Sequence, residues 1–270
     1  MLQQRFILPL LLLWGAICAA APAADELAQR FAALLAAPTA ETFFDPGHGD
    51  WRKHWQLDGE VGEVTTGPEG MTLQAGPDVG NNAHHVVLWT RQRFADDVRI
   101  DFDYVRLDHE TRNVNILYLF ASGAGDPPYV ADLMAWRELR TVPRMSLYFD
   151  HVHAYHLSFA AFEMQGTDPA ADYVRARRYR PDRQRGLEDT AMPPDYARTG
   201  LFAPGVPHHI TVVRHGADLF MQVSNAEATR LFHWDTSAFP PMAEGHLGLR
   251  HMFGRSARYA NFRVAQIPVE

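Results

Sequence analysis

The strongest constraint on the fold is a recurrence of short apolar or alternating runs, rich in Val, Ile, Phe and Tyr and separated by Gly, Pro and Asp. They fall at 71–75, 84–90, 98–107, 114–121, 145–149, 155–161, 173–179, 208–214, 219–224, 246–251 and 259–265. Alternate side chains of a strand point to opposite faces, so runs of this length bury a face only by pairing with one another. The spacing favours an all-β sandwich or jelly roll over βαβ units. Leu27, Phe31, Leu34 and Leu35 recur at helical spacing before Pro38, which predicts a short N-terminal helix over 25–37. A short helix is expected around 132–140 and a long loop over 181–207.

The N-terminus reads as an export signal. Arg5 precedes the apolar run 6–16, and small residues at 19–24 offer cleavage options before Asp25 and Glu26. The run is too short to span a bilayer. Residues 1–24 are therefore assigned to a secretory signal peptide and 25–270 to a single β-sandwich domain, periplasmic or extracellular and free of the membrane once cleaved. Cys18 is the only cysteine and leaves with the signal. The mature chain of about 245 residues then has no disulfide, thiolate ligand or cysteine nucleophile and must rest on an ordinary core.

A net charge of −7 argues against a nucleic-acid partner, because phosphate contacts need a basic surface. The basic character is local. Arginine supplies nearly all of it, Lys53 being the sole lysine. In the run Tyr-Val-Arg-Ala-Arg-Arg-Tyr, a strand would place Tyr173, Arg175, Arg177 and Tyr179 on one face. A guanidinium fork pairs with carboxylate or sulfate, and a phenol ring stacks on a sugar, so the stripe suits an acidic glycan. The bland alternative is an exposed strand whose arginines pair with surface Asp and Glu.

Other polar residues sit on expected strands. His84 and His85 precede the run 86–90, and Asn113 and Asn115 share a face opposite Tyr118. His151 and His153 have the one-residue gap that lets two imidazoles hold a metal from a strand, but no third ligand at diagnostic spacing accompanies them, so no metal site is assigned. Nucleophile-elbow, Walker and dinucleotide-binding motifs are missing. Asp101 and Asp103 share a strand face, and with Glu138 and Asp150 they are the carboxylates a glycoside hydrolase would need.

The segments 44–51, 84–90, 103–108, 113–118, 173–179, 248–252 and 255–262 resemble the YesU-like family of proteins of unknown function, over nearly all of the chain from 43 to 264. The resemblance implies a concanavalin A-like jelly roll, similar to the laminarinase, lectin and alginate-lyase sandwiches, and a role in pectic polysaccharide breakdown. It supplies no catalytic residues. The export signal departs from cytoplasmic members and moves the expected substrate toward polymer or periplasmic oligomer. Within that fold, β-elimination from a uronic acid uses the inventory best, because a developing charge on the carboxylate must be neutralised while one group removes a proton and another supplies one. Arg175, Arg177 and Asn115 are the expected carboxylate ligands, Tyr179 or Tyr118 the proton shuttle, and His85 or His153 the base. Tyr173, Trp89, Trp136 and His251 complete the binding set. A non-catalytic binder would use the same stripe with Trp51, Trp55, Trp89, Trp136 or Trp234 as stacking platforms. No cofactor is required, although a jelly roll can hold a structural calcium ion through backbone carbonyls that leave no motif.

Overall fold

The computed structural model describes residues 24–95, 97–183, 186–242 and 244–268. The expected signal peptide lies outside them except for Ala24. The strands are β1 (Ala40–Asp45), β2 (Trp55–Asp58), β3 (Glu63–Gly67), β4 (Gly70–Gln74), β5 (Val86–Ala95), β6 (Val98–Arg106), β7 (Asn113–Gly123), β8 (Val152–Phe162), β9 (Tyr173–Tyr179), β10 (Ala191–Ala197), β11 (Pro207–His215), β12 (Asp218–Ser224), β13 (Thr229–Asp235), β14 (Glu244–His251) and β15 (Ser256–Gln266). Helix α1 spans Ala24–Ala36 and α2 spans Met145–His151.

The strands form two antiparallel sheets, which makes the chain an all-β jelly-roll sandwich with an N-terminal helix. One sheet runs β13-β12-β11-β6-β15-β4-β3, with β1 also paired to β15. The other runs β10-β9-β8-β7-β14-β5-β2. Alternate residues of both meet in the core: Ile100, Phe102 and Tyr104 from β6, Leu117 and Leu119 from β7, Leu157 and Phe159 from β8, Val174 and Ala176 from β9. Phe102 stacks on Phe262 at 5.3 Å, and Phe43 meets Trp55 edge-on at 5.8 Å. Each such ring taken from water contributes about 1.5–3 kcal/mol.

Both outer faces carry a further layer. Helix α1 lays Phe31 on Phe220 of the eight-stranded sheet, with Val213 and Ile267 in the same cluster, and its Arg30 pairs with Asp218. Over the seven-stranded sheet lie the 3₁₀ segment Leu133–Arg140 and α2. The run 145–149, expected to be a strand, is thus the helix α2. Segment 191–197, expected within a loop, forms the edge strand β10, and β1, β2, β3 and β13 were not anticipated.

Candidate functional site

The stripe on β9 forms as its period dictates. Val174 and Ala176 point into the core, while Tyr173 and Tyr179 join the apolar cluster on the outer face of the seven-stranded sheet. Arg175 and Arg177 remain half-buried on that face. Arg175 lies over the Tyr173 ring at 4.4 Å and pairs with Asp195 at 2.6 Å and Glu163 at 3.5 Å. Arg177 donates to the Thr190 hydroxyl at 3.0 Å and has no acidic partner among the described residues. Burial pushes the Tyr173 phenol up to about 12.

Further along the face, Trp89 of β5, Tyr118 of β7 and Tyr148 of α2 form a stack, with Trp89 and Tyr118 5.4 Å apart and Tyr118 and Tyr148 6.1 Å apart. Gly248 of β14 makes room for it, since a Cβ there would run into the indole. Asp58 pins the stack from the end of β2, accepting from Trp89 Nε1 at 2.7 Å, Arg140 Nε at 2.6 Å and the Tyr148 hydroxyl at 3.0 Å. Burial raises the Asp58 carboxyl and Arg140 opposes it.

Arg250 of β14 enters the same layer from below Tyr148, 4.6 Å from the ring, and is wholly buried. Its Nη2 donates to the Pro143 carbonyl at 2.6 Å and to His85 Nδ1 at 2.7 Å. Arginine is only a donor, so His85 Nδ1 accepts and the ring is neutral. Burial and Arg250 accordingly pull the His85 pKa down to about 3. The Nε and Nη1 groups of Arg250 find no partner, and no carboxylate lies within ion-pair distance of it among the described residues.

Beside Arg250 sits a chain of three polar groups. His156 of β8 meets the Tyr179 hydroxyl through Nδ1 at 2.5 Å and the Ser158 hydroxyl through Nε2 at 2.6 Å. Burial, then the charges of Arg177, Arg250 and Arg175, holds His156 well below the ordinary histidine value, so the imidazole is neutral. Burial pushes the Tyr179 and Tyr118 phenols up, so both keep their protons. One ring nitrogen of a neutral imidazole donates and the other accepts, so His156 can relay a proton between two hydroxyls. Phe149 of α2 packs edge-on against Tyr179 at 6.3 Å, and Tyr118, Tyr179 and Arg250 are covered. The accessible rim is Arg175 and Arg177.

The structure separates several residues that the sequence grouped. Asn115 points into the inter-sheet core and donates to the Tyr104 hydroxyl at 2.6 Å, so it is not a ligand on the Arg175 face. His251 also points inward, 2.7 Å from the Tyr259 hydroxyl, and burial takes its pKa down to about 3. His153 lies three residues from His156 on a strand of period two and so leaves the opposite side, 3.6 Å from Asp182. His85 is on the correct side but buried against Phe253, with Arg250 occupying its accepting nitrogen. The expectation of Arg175, Asn115 and either histidine converging on one substrate is therefore corrected, and His156 is the imidazole that meets Tyr179.

The stacking platforms also change. Trp55, Trp89 and Trp234 are fully buried, and Trp136 is held beneath Arg140 with its Nε1 on the Val130 carbonyl at 2.9 Å. Asp101 and Asp103 lie on the outer face of the other sheet, bound to His209. Glu138 pairs with Arg137 on the 3₁₀ segment and Asp150 accepts from the Gly186 amide, so these carboxylates do not flank a cleft. His151 ends α2 and stacks on Tyr129 at 3.7 Å, which removes the strand geometry for a two-histidine metal site. Among the described residues no three His, Cys, Asp or Glu side chains converge as a metal would require.

Domain of unknown function DUF1961 matches residues 50–264. The chain belongs to the DUF1961 family. No curated protein matches it. Among solved structures, this DUF1961 chain is similar to a Bacillus subtilis protein of unknown function with a galectin-like fold, with a TM-score of 0.60 and 19% identity over 84% of this chain and 96% of that one. It is similar to the winged bean acidic lectin complexed with methyl-α-D-galactose, with a TM-score of 0.56 and 10% identity over 86% of this chain and 100% of the lectin. For the VIP36 exoplasmic/lumenal domain in its Ca2+/Man3GlcNAc-bound form, the TM-score is 0.53 at 10% identity, over 84% of this chain and 92% of that domain. At these identities the likeness for the DUF1961 chain is one of fold.

Proposed function

We propose that the outer face of the seven-stranded sheet binds uronate-containing glycans and cleaves them by β-elimination. The observation that carries this reading is the set of guanidinium groups around His156 and Tyr179, of which Arg177 and Arg250 have no acidic partner among the described residues. A cation left without a counter-charge in a nearly dry site favours an anionic ligand. The sugar complexes described for a lectin and for VIP36 on the same fold support a glycan as the ligand class. The signal read from residues 1–24 supports a periplasmic or extracellular polymer or oligomer.

In the proposed step Arg177 and Arg175 hold the uronate carboxylate. A hydroxyl of the Ser158–His156–Tyr179 chain takes the proton beside the carboxylate while its own proton passes to the imidazole. The C4–O bond breaks, a C4–C5 double bond forms, and the imidazolium returns its proton through the other hydroxyl to the leaving oxygen. The proton count of the chain is restored, with the imidazole left in its other tautomer, which proton exchange resets before the next turnover. The sugar must reach His156 past Phe149 of α2. The covering of Tyr118 and Tyr179 favours a second reading, a non-catalytic binder that uses only the half-buried rim of Arg175 and Arg177.

Purified mature protein on a panel of uronate polymers and oligomers, followed by the ultraviolet absorbance of the unsaturated product and by a reducing-end assay, separates these readings. Elimination raises both signals, and His156→Gln lowers the rate by about 10²- to 10⁴-fold while affinity is kept. Binding without either signal supports the binder, and turnover undiminished in His156→Gln sinks the assigned relay.

A further inference from the structure

We propose a second anion site, independent of the outer face, in a crevice at the end of the sandwich where β5, β7 and β9 finish and β8 and β14 begin; it takes the carboxylate or sulfate group of a small ligand. The crevice has a volume of about 390 Å³ and is lined by Arg93, His153, Arg178, Asp182, Met242 and Glu244, among others.

The charges there do not close on themselves. Arg93 pairs with Glu244 at 2.9 Å, and Asp182 lies 3.6 Å from His153 and 3.5 Å from Arg183. Arg178 is only 3% exposed. It donates to the Tyr179 carbonyl and lies 5.3 Å from the Tyr155 ring, but has no carboxylate within ion-pair distance among the described residues. Its Nε and the Tyr155 hydroxyl both lack a hydrogen-bond partner. A buried guanidinium with an unmade bond costs free energy that a bound oxyanion recovers by accepting it. Pro240, Pro241 and Met242 form a less polar wall, suited to the carbon frame of a small acid or sugar.

His153 reports on occupancy. Burial first, and then Arg178, lowers its pKa, while Asp182 raises it. An anion on Arg178 cancels the second influence, so the His153 pKa rises.

The test follows the His153 ring signals by NMR through a pH titration in sodium chloride, sodium sulfate or sodium galacturonate at equal ionic strength. The expected result is a rise of about one pKa unit in sulfate, galacturonate or both, and not in chloride. Arg178→Met removes that response. A response to sulfate alone makes the ligand a sulfo group or free anion, and one to galacturonate alone a sugar carboxylate. No difference from chloride, or an equal rise in Arg178→Met, overturns the proposal. Calorimetry with the same salts on Arg177→Gln protein, in which the outer-face site is weakened, needs no change at Arg178. One saturable event there supports the crevice, and heats equal to those of chloride overturn it, whatever the outer face does with glycans.

Discussion

Arg177 lies directly opposite His156 across the β8–β9 ladder, and after burial itself it is the strongest influence holding that imidazole below its ordinary pKa. Directly opposed residues sit about 5 Å apart at Cβ, so any anion that engages Arg177 also acts on His156. In NMR titrations the His156 pKa should rise when a uronate oligosaccharide binds, and in Arg177→Gln it should be higher in the free protein. A His156 signal indifferent to both would uncouple the arginine from the relay.

The two rim arginines should differ. Arg175 is already committed to Asp195 and Glu163, whereas Arg177 meets only a hydroxyl. Losing a charged hydrogen bond costs about 1.5–3 kcal/mol, so Arg177→Gln should weaken uronate binding by roughly 10- to 150-fold and Arg175→Gln by less. Equal losses, or a matching loss for neutral oligosaccharides, would contradict the assignment.

Asp58→Asn removes the charge that balances Arg140 deep in the outer layer. Breaking one side of a buried ion pair typically costs about 3–5 kcal/mol, and the Trp89 and Tyr148 anchors weaken with it. Chemical unfolding should show a loss of that order, with the largest fluorescence change arising from Trp89.

Histidines make stability fall on both sides of neutrality. His85 and His251 have folded pKa values of about 3 against an ordinary 6.5, so the unfolded chain takes up more protons between those values and stability is lost as pH falls through that window. On the outer face of the other sheet, hydrogen bonds that His209 donates to Asp101 and Asp103 raise its pKa to about 9. Its contribution is complete below pH 6.5 and is lost as pH rises through 9. Urea midpoints measured from pH 4 to 10 should peak near neutrality, and His209→Gln should flatten only the alkaline limb.

Gly248→Ala places a methyl group where the Trp89 ring now lies. Overpacking of this kind costs about 1–3 kcal/mol. Displacing the indole should also loosen its bond to Asp58, visible as a shift in tryptophan emission.

The β9 stripe was legible because its alternate partners, Val174 and Ala176, are apolar and its arginines are not, so period two sorts the faces unaided. β7 offered no such contrast. Its residues are buried on both faces because the 3₁₀ segment and α2 cover the outer one, so Asn115 gave no sign of pointing inward. His156, in the same cluster as His151 and His153, drew no role of its own because those two suggested a strand pair. The strand begins only at Val152, and counting from there puts 152, 154 and 156 on the outer side. Arg250 carried no local signal at all, since its meaning comes from Pro143 and His85, distant in sequence. The run 145–149 has strand-like composition, and packing on the sheet, through Leu147 and Tyr148, makes it helical.

The shared family segment begins at residue 50, yet α1 and β1 precede it. A recombinant fragment cut to that boundary would lose the cover over Val213, Phe220 and Ile267 and the strand that closes one edge of β15. Bare apolar surface beside an open strand edge invites self-association, so such a fragment would be expected to precipitate or form chain-to-chain sheets, and expression should start no later than Ala24.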